Sequence, residues 1–145
     1  MKKFLIITIV LIITTTIGCK KFPDLGSGYR IDYSGRSNYI QIENSNNEII
    51  IGDNIVNYSY DANYILIGQK PPDSIPDPTH NYGDWEIAYN KSTFRQYWII
   101  DKKLKSIFDE KTKTYSNVYG PFKKNEYLKK LVELKVPQTL KIEEK

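Results

Sequence analysis

The stretch IVNYSYDANYILIGQ, residues 55–69, decides the fold. It holds two runs of β-branched and aromatic residues, Ile55–Tyr60 and Tyr64–Gln69, and the polar residues Asp61–Asn63 separate them. Such side chains fit the half-buried, pleated surface of a sheet, and a short polar interruption between two such runs is typical of a turn. The stretch therefore predicts two successive antiparallel strands.

The residues before this stretch continue the same pattern. Gly28–Tyr33 alternates apolar and polar residues, which predicts a strand with one buried face. Residues 39–52 hold two more apolar runs around the turn-forming residues Asn44–Asn47, which predicts a β-hairpin. Together these segments indicate an antiparallel meander.

The pattern changes after residue 69. Lys70–Asp84 contains four of the seven prolines and is interpreted as a long loop. Trp85–Tyr89 is predicted to resume a strand. Arg95–Asp101 is apolar on both faces, which is typical of a central strand. Residues 102–117 have no clear assignment: Leu104–Phe108 fits either a strand or a short helical turn, and the polar residues that follow fit neither.

The last element has a different periodicity. Lys123–Leu134 carries Tyr127, Leu128, Leu131 and Val132 at helical spacing, which predicts an amphipathic helix packed on the sheet. A helix lying on a membrane surface is the alternative. The predicted fold is thus mainly β, a meander sheet in the form of a sandwich or an open barrel, with one C-terminal helix. It occupies one domain, residues 28–145.

The N-terminus has the features of an export signal. Lys2 and Lys3 precede an uncharged run, Phe4–Ile17, of 14 residues. Spanning a bilayer takes about 20 residues, so the run has the length of a signal-peptide core. We expect residues 1–18 to be a signal peptide and residues 19–27 to be a tether.

The tetrad Thr16–Cys19 resembles the lipobox of bacterial lipoproteins, and Cys19 is the single cysteine. The small Gly18 before the cysteine matches that signal, whereas Thr16 and Ile17 depart from it. The resemblance implies cleavage between Gly18 and Cys19, a thioether-linked diacylglycerol on Cys19, and acylation of the new N-terminus, for example with palmitate. The alternatives are a plain secretory signal and an uncleaved anchor. The predicted location is the exported face of a bacterial membrane, with inner and outer membrane both open.

Charge gives little reason to expect a nucleic-acid partner. The formal net charge is +4, and removal of Lys2 and Lys3 lowers it to +2. From Asp101 onward twelve lysines face seven acidic residues, with no arginine among them. Because bidentate phosphate recognition favours arginine, we interpret this half as a solvated face and predict no nucleic-acid binding.

No catalytic or metal-binding motif is present. His80 is the only histidine, and Asp73, Asp77 and Asp84 near it lack the spacing of a calcium loop. The sequence therefore predicts no metal, no small-molecule cofactor and no enzyme. A hydrolase that uses Asp84 and Glu86 on one face of a strand is the alternative.

The aromatic residues are the other candidates for a site. Tyr82 and Trp85 flank the long loop and are predicted to bind an envelope protein or a glycan. The predicted function is a lipid-anchored, noncatalytic binding or interaction module in the cell envelope. An immunity-type or inhibitor lipoprotein is a further alternative.

Four segments together resemble one bacterial family of uncharacterised lipoproteins, the domain of unknown function 3997. The segments are DLGSGY at 24–29, NYIL at 63–66, YWIID at 97–101 and VYGPF at 118–122, followed by a helix that contains Glu-Tyr-Leu. The resemblance implies a small, predominantly β envelope protein and supplies no catalytic residues.

Overall fold

A computed structural model describes residues 22–33, 40–74 and 82–143, with the backbone alone of Tyr82. In these ranges the chain forms ten strands, two α-helices and one 3₁₀ turn. The strands are β1 Asp24–Gly26, β2 Tyr29–Asp32, β3 Gln41–Glu43, β4 Ile49–Ile51, β5 Ile55–Tyr60, β6 Tyr64–Gln69, β7 Gln96–Asp101, β8 Phe108–Asp109, β9 Thr114–Tyr115 and β10 Val118–Phe122. The helices are α1 Tyr82–Lys91 and α2 Lys124–Glu133, and the 3₁₀ turn is Pro72–Ser74.

The strands make three antiparallel sheets. Sheet A has the order β1-β2-β3-β4, sheet B has the order β10-β7-β6-β5, and β8 and β9 form a small hairpin. Strands β5 and β6 pair from Ile55 with Gln69 to Tyr60 with Ile65, as the opening stretch predicts. Strand β7 lies between β10 and β6, which confirms that it is an inner strand.

The molecule is layered, and sheet B is the middle layer. One apolar cluster joins the inner face of sheet A to sheet B, and a second joins the opposite face of sheet B to α2. Successive side chains of β6 point to opposite faces of sheet B and pack in the two clusters alternately. All six residues of β6 are therefore buried. Members of the first cluster include Leu25, Ile31, Ile42, Ile51, Ile65 and Ile67.

Helix α2 covers sheet B, as predicted. The ring of Tyr127 is buried and stacks on Tyr97 of β7 with 4.8 Å between ring centroids. Only half of the predicted apolar stripe packs, because Leu131 joins the cluster whereas Leu128 and Val132 are exposed. The helix therefore packs on sheet B through Tyr127 and Leu131, which are four residues apart and lie on one face of the helix.

The prediction of a strand at Trp85–Tyr89 is wrong, because these residues lie in helix α1. Trp85 and Tyr89 are four residues apart, so a helix places them on one face, where their rings stack at 5.0 Å. Asp84 in the first turn and Lys91 in the last turn also match the helix dipole. The predicted loop over 70–84 is shortened accordingly, and its residues 75–81 lie outside the described ranges.

The segment without a sequence assignment is a short hairpin. Phe108 pairs with Tyr115 and Asp109 with Thr114, while the four residues before Phe108 form neither a strand nor a helix.

The predicted tether also changes. Residues 24–26 form strand β1, and Leu25 is fully buried between the sheets. The folded domain therefore includes residues before Gly28. The fold is mainly β, and its sheets stack as layers without closing into a barrel.

Candidate functional site

A groove of about 760 Å³ runs beside strand β5. Strand β5 forms one wall, and the segment Thr93–Tyr97, the start of helix α2 and the C-terminal tail form the other. These parts are far apart in sequence, and the stacking of α2 on sheet B brings them together. The groove is concave and its lining combines apolar and charged side chains, which makes it the candidate site.

Strand β5 presents an edge to this groove. It is the outermost strand of sheet B within the described ranges, and its register shifts between Ile55 and Asn57. Val56 lies at this irregularity and is 45% exposed. The backbone N–H of Ile55 donates to the carbonyl of Ile40 at 3.2 Å, which ties the start of the strand to sheet A.

Tyrosines shape the far end of this edge. The hydroxyls of Tyr33 and Tyr58 share a hydrogen bond at 3.4 Å, and the ring of Tyr58 stacks on that of Tyr60. The hydrogen bond with Tyr33, together with burial, raises the pKa of Tyr58 to about 12. The hydroxyl of Tyr58 is therefore neutral at physiological pH.

The C-terminal tail forms the rim of the groove. The side-chain amide Nδ2 of Asn57 donates to the backbone carbonyl of Glu143 at 2.9 Å, and Leu140 is buried in the cluster under α2. The amide oxygen of Asn57 lies over Gly68, where a Cβ atom would stand only 2.0 Å from it. Gly68 thus leaves the space that lets Asn57 hold the tail.

The wall opposite β5 is positively charged. Arg95, Lys124 and Lys141 line the groove, against the single carboxylate of Glu143. Lys124 stands in the first turn of α2, where the helix dipole disfavours a cation. Glu126 offsets this locally by accepting from the backbone N–H of Lys123 at 2.9 Å. The electrostatics of the groove therefore favour an anionic ligand.

An apolar cleft adjoins the charged groove. It has a volume of about 340 Å³ and shares Tyr97, Lys124 and Lys141 with the groove. Leu128 and Ile142 also line it, so one of the two exposed apolar residues of α2 faces this cleft. The combined surface offers a charged part and an apolar part side by side.

A buried lysine lies against helix α1. Lys70 is 5% exposed, and its ammonium lies 4.3 Å from the ring centroid of Tyr89. Burial, with a smaller contribution from the charge of Arg95, lowers the pKa of Lys70. The hydroxyl of Tyr89 donates to the backbone carbonyl of Lys70 at 3.0 Å, so α1 is fastened to the end of β6.

The residues singled out from the sequence lie elsewhere. Trp85 is half-buried on α1 through its stacking on Tyr89, and it is not part of the groove lining. The side chain of Tyr82 lies outside the described residues, as do Gly18, Cys19 and His80. The structure therefore leaves the predicted lipid site untested.

The geometry assumed for a carboxylate pair is wrong. Asp84 and Glu86 lie on α1, and residues two apart on a helix point to different sides. Both are exposed. Across the described ranges no cluster of three histidine, cysteine or acidic side chains has the arrangement to hold a metal ion. None of the helices in those ranges is long and apolar enough to cross a membrane.

Sequence reasoning missed the groove residues. Arg95 precedes a strand, Lys124 begins a helix and Lys141 lies in a tail, and no spacing links them. The one local signal is a pair of lysines at the start of α2, where acidic residues are the rule.

Fold and groove together define a small, mainly β domain of two stacked four-stranded sheets with a cation-lined edge groove. The chain belongs to the family of proteins of unknown function DUF3997, whose family model matches residues 26–145. The resemblance to the domain of unknown function 3997 is thereby confirmed. No curated protein and no solved structure matches the chain. The matched range begins after Cys19, so the lipid anchor stays a prediction.

Proposed function

We propose that this chain is a lipid-anchored cell-envelope protein that acts as a noncatalytic binding module. Its binding site is the groove beside β5, and its ligand is an extended, negatively charged segment of an envelope protein. The single observation that carries this proposal is the placement of three cations, Arg95, Lys124 and Lys141, along an edge strand.

An edge strand favours a polypeptide ligand over a glycan. The backbone of an outer strand can pair with an added strand, and the side pockets then select alternate side chains. Here Val56 and Tyr58 offer apolar contacts on the β5 wall, while the opposite wall offers cations. A segment that alternates apolar and acidic residues satisfies both walls at once.

The anchor half of the proposal is supported by the N-terminal sequence. Two lysines, a short apolar run, Gly18 and the single Cys19 occur in the order of a lipoprotein signal. Two or more acyl chains anchor a protein stably, whereas one gives marginal binding. We expect the wild-type protein to sediment with membranes and Cys19→Ser to appear in soluble fractions. Retention of Cys19→Ser on membranes that lack other partners contradicts lipidation at Cys19.

Photo-crosslinking in living cells tests the groove. A benzophenone amino acid is placed at Val56 on the β5 edge, which is 45% exposed, or at Val132 on α2, which is 79% exposed, as the control. We expect a discrete crosslinked species from position 56 that is lost when Arg95 and Lys141 are changed to Glu. Crosslinks of equal yield from positions 56 and 132 contradict a binding site at β5.

A further inference from the structure

The segment that follows β7 is exposed over most of its length. Residues 103–113 are all exposed, and we call residues 103–116, which include β8 and β9, the basic hairpin. Three of its large apolar side chains point into solvent: Leu104 is 48% exposed, Ile107 56% and Phe108 43%. Three large apolar side chains within five residues form a patch of the kind that marks an interaction surface.

Lysines flank the three apolar residues in the sequence. The exposed stretch carries Lys103, Lys105, Lys111 and Lys113 against Asp109 and Glu110, a net charge of +2. Glu110 is held by Lys113 at 2.6 Å, and Lys103 lies 3.7 Å from Asp101 and donates to the hydroxyl of Tyr64. Lys105 and Lys111 are therefore the lysines that can face anionic headgroups. A combination of apolar residues and lysines is typical of segments that lie at the interface of an anionic membrane.

The basic hairpin has a defined shape, which side-chain contacts within it and with sheet A hold in place. The rings of Phe108 and Tyr115 pack at 5.1 Å between centroids. Ser116 accepts the N–H of Ile107 through its hydroxyl, and the same hydroxyl donates to the carbonyl of Lys105. The hydroxyl of Tyr115 donates to Glu48 at 3.0 Å, which fixes the basic hairpin against sheet A.

The predicted lipidation site, Cys19, is close in sequence to strand β1, and Lys102 links strand β1 to the basic hairpin. The ammonium of Lys102, one residue before the basic hairpin, donates to the carbonyl of Leu25 at 2.6 Å. Cys19 precedes Leu25 by six residues, which span at most about 20 Å when fully extended. A lipid on Cys19 therefore holds this end of β1, and the basic hairpin beside it, near the bilayer.

We propose that the basic hairpin is a second membrane contact, which lies on a bilayer surface rich in anionic lipid. Leu104, Ile107 and Phe108 enter the boundary between headgroups and acyl chains, and Lys105 and Lys111 lie among anionic headgroups. The inference rests on the proposed anchoring of the protein at a membrane. It adds an orientation, since a lipid attached at a single point leaves the domain free to rotate.

Hydrogen exchange of the mature, lipid-bearing protein in vesicles tests this contact. The vesicles are phosphatidylcholine alone, or phosphatidylcholine mixed with phosphatidylglycerol. We expect amides of residues 103–116 to exchange more slowly by about fivefold or more in the mixed vesicles, while amides of α2 are unchanged. Equal exchange of the basic hairpin in both vesicle types overturns the proposal.

Two variants sharpen the result. Leu104→Ser/Ile107→Ser/Phe108→Ser is expected to abolish the slowed exchange. Ile49→Ser/Val132→Ser, which removes exposed apolar groups elsewhere, is the matched control and is expected to retain it. Slowed exchange that survives the triple variant, with unchanged far-ultraviolet circular dichroism, also overturns the insertion of these side chains.

The experiments distinguish a failure of the proposed anchor from a failure of the proposed membrane contact. The mass of the N-terminal peptide reports whether Cys19 carries a lipid. If it does not, the released protein is added to the same two vesicle types. Selective slowing of residues 103–116 in the mixed vesicles then supports the basic hairpin without the anchor, and no slowing overturns it.

Discussion

The ammonium of Lys102 donates a 2.6 Å hydrogen bond to the backbone carbonyl of Leu25 and so joins sheet B to sheet A. The same ammonium donates to the backbone carbonyl of Asp61, in the turn between β5 and β6. Gly26 gives it room, because a Cβ atom there would stand 3.2 Å from Nζ and the residue has a φ of 81°. One lysine thus fastens β1, the turn after β5 and the end of β7.

Removing this ammonium is expected to loosen the two sheets. Lys102→Met keeps the length of the side chain and leaves the carbonyls of Leu25 and Asp61 without this donor. Hydrogen bonds to charged groups contribute about 1.5–3 kcal/mol, and we expect a loss of that size in the free energy of unfolding in urea. The exposed Lys105→Met is the control and should change it by less than about 0.5 kcal/mol. Equal stability of the two variants contradicts the role of Lys102.

Filling the space at Gly68 is expected to release the C-terminal tail. In Gly68→Ala the new Cβ atom would stand 2.0 Å from the amide oxygen of Asn57, so that side chain must swing away. The hydrogen bond from Asn57 to Glu143 is then lost, and we expect about 1–2 kcal/mol of destabilisation.

A double-mutant cycle checks the cause of that loss. Asn57→Ala alone should remove the same hydrogen bond, and Asn57→Ala/Gly68→Ala should be little worse than Asn57→Ala, because the clash is gone. Losses that simply add in the double variant show that Gly68 and Asn57 do not act on the same contact.

The pair Tyr33 and Tyr58 is expected to make stability depend on pH at high pH. Its hydrogen bond and burial raise the pKa of Tyr58 to about 12, above the unfolded value of about 10. A raised folded pKa favours the protonated form, so this contribution is fully present below pH about 10. It is lost as the pH rises through about 12.

Absorbance titration of tyrosinate measures this effect. Tyr33→Phe removes the hydroxyl that Tyr58 contacts, and we expect the highest tyrosine titration to move to lower pH. A highest tyrosine titration that stays at the same pH in Tyr33→Phe shows that the contact does not set the pKa of Tyr58.

The hydroxyl of Tyr64 is expected to hold the end of helix α2. It donates to the carbonyl of Leu134 at 2.6 Å and accepts from the ammonium of Lys103. Tyr64→Phe should destabilise the protein by about 1–2 kcal/mol and speed amide exchange in the last turn of α2. Tyr60→Phe, at a residue that is 46% exposed, should do neither. An unchanged last turn in Tyr64→Phe contradicts this role.

The strands could be predicted from the sequence because their signal is local. Residues 55–69 hold two runs of β-branched and aromatic residues around one polar turn, and the observed strands begin and end where those runs do. Helix α1 could not be predicted in the same way. Trp85 and Tyr89 have strand-forming side chains, and their helical stacking depends on Tyr89 packing over Lys70 of another element.

The groove could not be predicted because it is a product of packing. Asn57 and Glu143 are 86 positions apart, and their hydrogen bond exists only once α2 has folded back over sheet B. In the sequence, the cationic residues that line the groove have the pattern of ordinary solvated lysines and an arginine. Only the layered fold places Arg95, Lys124 and Lys141 on one surface.

Binding of a designed peptide tests the groove most directly. The probe is a fluorescent peptide of alternating Glu and Val, its counterpart has Lys in place of Glu, and the readout is anisotropy. We expect the purified protein to bind the Glu peptide and not the Lys peptide, and Arg95→Glu/Lys124→Glu/Lys141→Glu to weaken binding by about tenfold or more. Lys105→Glu/Lys111→Glu/Lys113→Glu makes the same change in net charge away from the groove and should alter the affinity by less than about twofold. Equal loss in both variants, or equal binding of the two peptides, would contradict a site in the groove beside β5.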